Sequence, residues 1–113
     1  MKLDIKETPR EFKAKKFTIK DYGKIFLDSD EMVSFVTNTG KEFDFAAKSW
    51  GFYATPSVNS RLKNQGFKTA LVANENNQLY IMAVEKDRLA EFFEYLKEGQ
   101  ENRVLCWLDE WLS

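Results

Sequence analysis

Ser57 and Arg61 stand four residues apart in "SWGFYATPSVNSRL", residues 49–62, a stretch that also holds three aromatics, a glycine and a proline. On a helix, that spacing sets two side chains within about 40° of each other on one flank. A hydroxyl donor and a guanidinium at a helix start, where unpaired N–H groups carry the positive end of the dipole, suit a phosphate or carboxylate. Asn59 lies about 160° from Arg61 around the same helix and shares the task only if a ligand wraps the helix end. Trp50 and Tyr53, arriving from the preceding loop, offer a flat apolar wall for a sugar or base ring. The competing account is structural: Trp50, Phe52 and Tyr53 become core aromatics at a seam between hairpin and helix, and Ser57 and Arg61 are ordinary surface residues.

Other residue types narrow the chemistry. The chain has no histidine and one cysteine, which removes serine and cysteine hydrolase triads, His-bearing zinc sites and thiolate zinc cages. Asp28, Asp30 and Glu31 form a carboxylate cluster without the spacing or glycine of a calcium loop, so a polar turn is expected and no metal site. Glu42 and Asp44 alternate on one strand face, where the expectation is outward, solvated side chains and no acid/base pair. Cys106, between Leu105 and Trp107, reads as a small buried hydrophobe. Trp107 and Trp111 are candidates for a protein interface, against the alternative that the C-terminal segment closes the core. No residue is nominated as catalytic, and no cofactor is expected.

The elements that must position these residues follow from periodicity. From Phe12 to Trp50 the chain reads as antiparallel strands: "KFTIKD", "GKIFLD", then "MVSFVT" and "KEFDFAA" around "NTG", with Phe43 and Phe45 inward and Gly40 at positive φ. Thr55 as N-cap, Pro56 at the first position and Gly66 as the left-handed stop predict a helix of about ten residues through "TPSVNSRLKNQGF". "FKTALVA" and "LYIMAVE" form a second hairpin around "NENNQ", apolar on both faces as in an interior strand. Asp87 should cap the helix "RLAEFFEYLKE", whose Leu89, Phe92, Phe93 and Leu96 share a face, with Gly99 ending it. The tail "NRVLCWLDEWLS" fits two readings, a helical stripe of Val104, Leu105, Leu108, Trp111 and Leu112 or a short buried strand through "VLCWL" followed by a terminal turn, and the second is the expectation.

The fold class is therefore α+β: a single domain over residues 1–113, a mainly antiparallel sheet built from hairpins, and one or two helices packed on a face. Residues 1–10 are open to reading as a flexible N-terminal arm. A chain of 113 residues with ten Phe, four Tyr and three Trp carries enough apolar surface for one core without disulfides or metal. The balance of 17 basic and 18 acidic side chains speaks against a general nucleic-acid binder. The charge is uneven, with a basic surplus in residues 1–20 and an acidic one in residues 85–113. No apolar run approaches the roughly 20 residues of a membrane span, and the lone cysteine and missing apolar leader point to the cytoplasm.

The runs "WGFYATPSVNSRLKNQGFKTALV", "LYIMAVEK" and "WLDEW" resemble a group of small bacterial proteins associated with surface-polysaccharide and lipopolysaccharide biosynthesis loci, over roughly residues 22 to 111. The resemblance implies a cytoplasmic accessory beside enzymes that make nucleotide-activated sugars, and it carries no site residues. The expected function is a non-enzymatic accessory domain binding a protein partner or an anionic small molecule, such as a nucleotide sugar or phosphate. The alternatives are a small sugar-modifying enzyme using carboxylate and Tyr acid/base chemistry, and a homo-oligomeric structural protein, for instance a homodimer through a strand edge or the tryptophan-rich tail.

Overall fold

β1 (Lys2–Ala14) and β2 (Phe17–Phe26) form a long antiparallel two-stranded ribbon. The structure, a computed structural model of the chain, describes residues 1–14, 16–98 and 101–112. Residues 2–10, where the sequence leaves a flexible arm open, lie in β1. Pairing runs Leu3 to Ile25 and Ile5 to Gly23, then resumes at Arg10 with Asp21 and continues through Phe12 with Ile19. The register break falls on "KETP", where Pro9 has no N–H to donate to a ladder.

β3 (Met32–Val36), β4 (Glu42–Lys48) and β5 (Gly51–Ala54) form a three-stranded sheet in that order. β6 (Phe67–Ala73), β7 (Leu79–Glu85) and β8 (Arg103–Trp107) form another, with β6 central. The helices are α1 (Arg61–Asn64) and α2 (Leu89–Glu98), with 3₁₀ turns at Lys86–Arg88 and Leu108–Glu110. The chain is α+β with antiparallel sheets and one main helix, as expected. None of the described helices is long and apolar enough to cross a membrane.

The chain divides into two compact units, one of Met1–Ser34 with Asp44–Thr55 and the other of Phe35–Phe43 with Pro56–Ser113. In the first, the "DSDE" corner is closed by backbone bonds: the Asp30 N–H donates to Ala47 O at 2.8 Å and the Ala47 N–H to Glu31 O at 2.8 Å. β4 departs from simple alternation. Glu42 is exposed as expected, but Asp44 is buried and Phe45 only half-buried. As the middle strand of three, β4 has cover on positions that an edge strand would leave in water.

In the second unit, Gly40 closes the "NTG" turn at φ +88°. The core is an apolar layer between the sheet and α2: Ala70, Val72 and Val84 against Phe92 and Leu96, with Met82, Leu89, Val104 and Trp107 packed on it. The helical stripe read from Leu89 to Leu96 is thus the buried face, although Phe93 sits at its margin and stays exposed. Asp87, expected to cap α2, lies inside the 3₁₀ turn at Lys86–Arg88 that precedes it, and its carboxylate pairs with Lys41 at 3.3 Å. Gly99, expected to end α2, lies outside the described residues. The tail forms a strand and then a turn, as expected.

The largest difference concerns α1. The expected helix of about ten residues is a single turn of four, starting at Arg61. Thr55 does not cap it: its hydroxyl donates to Asp44 O at 3.2 Å and its N–H to the same carbonyl at 3.0 Å, holding it in the first unit. Residues 58–60 form turns instead. Gly66 does end the segment, at φ +100° with its N–H donating to Lys63 O at 2.9 Å.

Candidate functional site

Within the first unit, the β4–β5 hairpin turns at Ser49 and Trp50, pairing Lys48 with Gly51, Ala47 with Phe52 and Ala46 with Tyr53. Side chains alternate across a strand, so Phe52 and Tyr53 point to opposite faces. Trp50 is 70% exposed and Phe52 67%. The Trp50 ring stacks on Tyr53, with centroids 6.0 Å apart and planes 24° from parallel. The structural alternative for these aromatics, burial in a seam, is overturned: all three are exposed. A stacked pair of rings on a hairpin tip is a flat, stiff, amphipathic platform, with a phenol and an indole N–H at its rim.

Beside it, Lys48 donates to Asp30, and that hydrogen bond holds the ammonium pKa above its ordinary value. Glu31 accepts the Asp28 N–H at 2.7 Å, and this bond is the first cause of its lowered pKa. The Asp28, Asp30 and Glu31 cluster is thus a hydrogen-bonded corner, the polar turn that was expected. Among the described residues, no three His, Cys, Asp or Glu side chains are placed to hold a metal ion.

Within the second unit, Ser57, Asn59 and Arg61 are all exposed. Ser57 and Arg61 do meet, but through the backbone: the Arg61 N–H donates to Ser57 Oγ at 3.1 Å. Ser57 O accepts the N–H of Leu62 at 2.9 Å and of Ser60 at 3.3 Å. The first amides of α1 therefore have partners already, and Ser57 is an acceptor for the turn that leads into it. The expected cradle of free amides at Ser57 and Val58 on a helix end is corrected accordingly, because Ser57 and Val58 precede the helix. Leu62, the apolar anchor of this turn, is fully buried.

The C-terminal candidates separate. Trp107 packs on Phe92 at 5.9 Å and on Phe93 at 6.4 Å, and Lys68 Nζ sits 4.8 Å from its ring centroid. It belongs to the core. Trp111 is 67% exposed. Cys106 is half-buried and has no disulfide.

Sequence reasoning missed Lys68 and Asp109. The Asp109 side chain is 0% exposed. Its Oδ1 accepts the Thr69 N–H at 2.9 Å and its Oδ2 accepts Lys68 Nζ at 3.1 Å, while Lys68 also reaches Glu110 at 3.2 Å. Burial pushes the Asp109 carboxyl up, but the Thr69 amide and the Lys68 ammonium outweigh it and leave the pKa lowered. For Lys68, burial is likewise outweighed by the Asp109 and Glu110 bonds, which raise its pKa. With both carboxylate oxygens engaged, this is a clasp holding the last turn on β6. Its only trace in the sequence is a lysine inside "FKTALVA" and an aspartate inside "WLDEW".

No protein-family model, curated protein or solved structure matches this chain.

Proposed function

We propose that this chain is a non-enzymatic binding domain that engages a protein partner through the Trp50–Tyr53 platform. One observation carries the reading: Trp50 is 70% exposed on a hairpin tip and held in a fixed stack with Tyr53. A large aromatic held rigidly in water gains by being covered and loses little side-chain freedom on binding, which is why Trp and Tyr dominate the energetics of interfaces. Phe52 is also exposed but lies on the opposite face of the strand, so the platform consists of Trp50 and Tyr53.

The small-molecule form of the reading keeps Arg61 as an anion anchor but loses the helix-end amides that were to support it. The proposed setting, a bacterial accessory near surface-sugar synthesis, rests on the sequence resemblance alone.

Capture with the immobilised chain, run beside Trp50→Ala and Tyr53→Ala forms, tests the proposal. A protein retained by the wild type and lost by both variants supports it; equal retention by all three removes it. A thermal shift with phosphate or a nucleotide sugar separates the ligand form, since a ligand at 100 times its Kd stabilises by about 2.7 kcal/mol. A shift abolished by Arg61→Ala and kept by Trp50→Ala would replace the protein partner with an anionic small molecule.

A further inference from the structure

We infer that the β1–β2 ribbon is a self-association surface, covered by a second copy of this chain packed face to face on its apolar side. The surface is distinct from the Trp50 platform, and neither inference depends on the other.

The register of the ribbon sorts its side chains. On one face, Leu3 pairs with Ile25 and Phe12 with Ile19, with Ile5 two residues on from Leu3. On the other, Asp4 pairs with Lys24, Glu11 with Lys20, Lys13 with Thr18 and Lys2 with Phe26. These five apolar side chains are 40–56% exposed, and Phe17, paired with Ala14 on the same face, is 41% exposed. A two-stranded hairpin is at best marginally stable alone in water, so a ribbon of this length with its apolar face open calls for cover.

Area and charge identify the cover. Five half-exposed side chains of this size present on the order of 500 Å², as large as the biggest apolar patches on monomers. Joining two such faces removes on the order of 1,000 Å², where specific interfaces begin. The charged pair that the register assigns to this face is Arg10 with Asp21, 3.3 Å apart across the strands. A two-fold axis running along the ribbon, between two facing copies, exchanges the strands. Arg10 of one copy then lies over Asp21 of the other, and Phe12 over Ile19. The opposite face has a surplus of lysine and repels its own kind.

Sedimentation equilibrium of the wild type, Arg10→Asp, Asp21→Arg and their equimolar mixture tests the inference, with circular dichroism as the control for folding. The wild type should be dimeric. Each charge variant alone faces like charges across the axis and should associate about tenfold or more weakly, while the mixture restores opposite charges and should recover the wild-type association. A wild type monomeric at every concentration, single variants that dimerise as well as the wild type, or a mixture no tighter than its components would each overturn it. Should either variant lose strand content, the wild type alone decides. Amide exchange in β1 and β2 should slow as protein concentration rises while that in β6 does not, and exchange independent of concentration overturns the inference.

Discussion

Asp109 and Lys68 meet at 3.1 Å beside the amide of Thr69, and this joins the last described turn of the chain to the central strand of its sheet. Asp109→Ala removes a fully covered acceptor and strands both the Thr69 N–H and one bond of Lys68. Hydrogen bonds to a charged group of this kind contribute about 1.5–3 kcal/mol, so denaturant unfolding should show a loss of about 2 kcal/mol. Because the Asp109 pKa is lowered, its contribution is fully present above the ordinary carboxyl value of about 3.9 and is lost as pH falls through its own lower value. The wild type should therefore lose part of its stability over the variant below about pH 4.

Thr69 presents the opposite case. Its hydroxyl is buried and has no hydrogen-bond partner among the described residues. A buried hydroxyl without a partner costs about 1–3 kcal/mol relative to a satisfied one. Thr69→Val should leave thermal stability unchanged or raise it by up to about 1 kcal/mol, and a fall of that size would show that the hydroxyl is satisfied in solution.

Gly23 has φ +126°, and a Cβ placed there would stand 2.0 Å from the backbone oxygen of Asp4 on the neighbouring strand. No side chain fits without parting β1 from β2 at the register break. Gly23→Ala should cost more than about 1 kcal/mol locally. Amide exchange should accelerate in residues 2–14 and 17–26 and stay unchanged in 67–73.

The two C-terminal tryptophans should behave differently. Trp107→Ala empties a site bounded by Phe92, Phe93 and Lys68 and should cost about 3 kcal/mol. Trp111→Ala, at an exposed position, should stay within about 0.5 kcal/mol. Light scattering on the wild type and Trp111→Ala also addresses the tail as an interface: unchanged mass in both excludes it.

The legible parts of the fold are those where local pattern and packing agree. Alternation in "KFTIKD" marks the start of β2, although β2 runs on unbroken through "GKIF", which reads as a separate strand. The apolar runs mark the β6–β7 hairpin, although β7 is an edge strand with Leu79, Tyr80 and Ile81 exposed. The stripe from Leu89 to Leu96 marks α2, and Gly66 marks a left-handed stop. The illegible parts are those where tertiary bonds take residues away from their local role. Thr55 and Pro56 look like a helix start, but the carbonyl of Asp44 claims the Thr55 hydroxyl and N–H, and the helix waits until Arg61. The polar run "KETPRE" hides β1, because the ladder skips residues 6–9. At the candidate site, residue type singled out Trp50 and Tyr53, but only the register of β4 and β5 shows them stacked and exposed. Asp109 could not be singled out because its partners lie 40 and 41 residues away.

The central claim is that Trp50 is a point of contact and not a structural residue. Its most direct test replaces Trp50 by a photoreactive phenylalanine analogue, irradiates cells expressing that form, and measures the mass of any adduct and the thermal midpoint of the purified protein. The account predicts an adduct with a different protein and a midpoint unchanged from wild type. No adduct, an adduct only with a second copy of the chain, or a midpoint lowered as by loss of a core residue would contradict it.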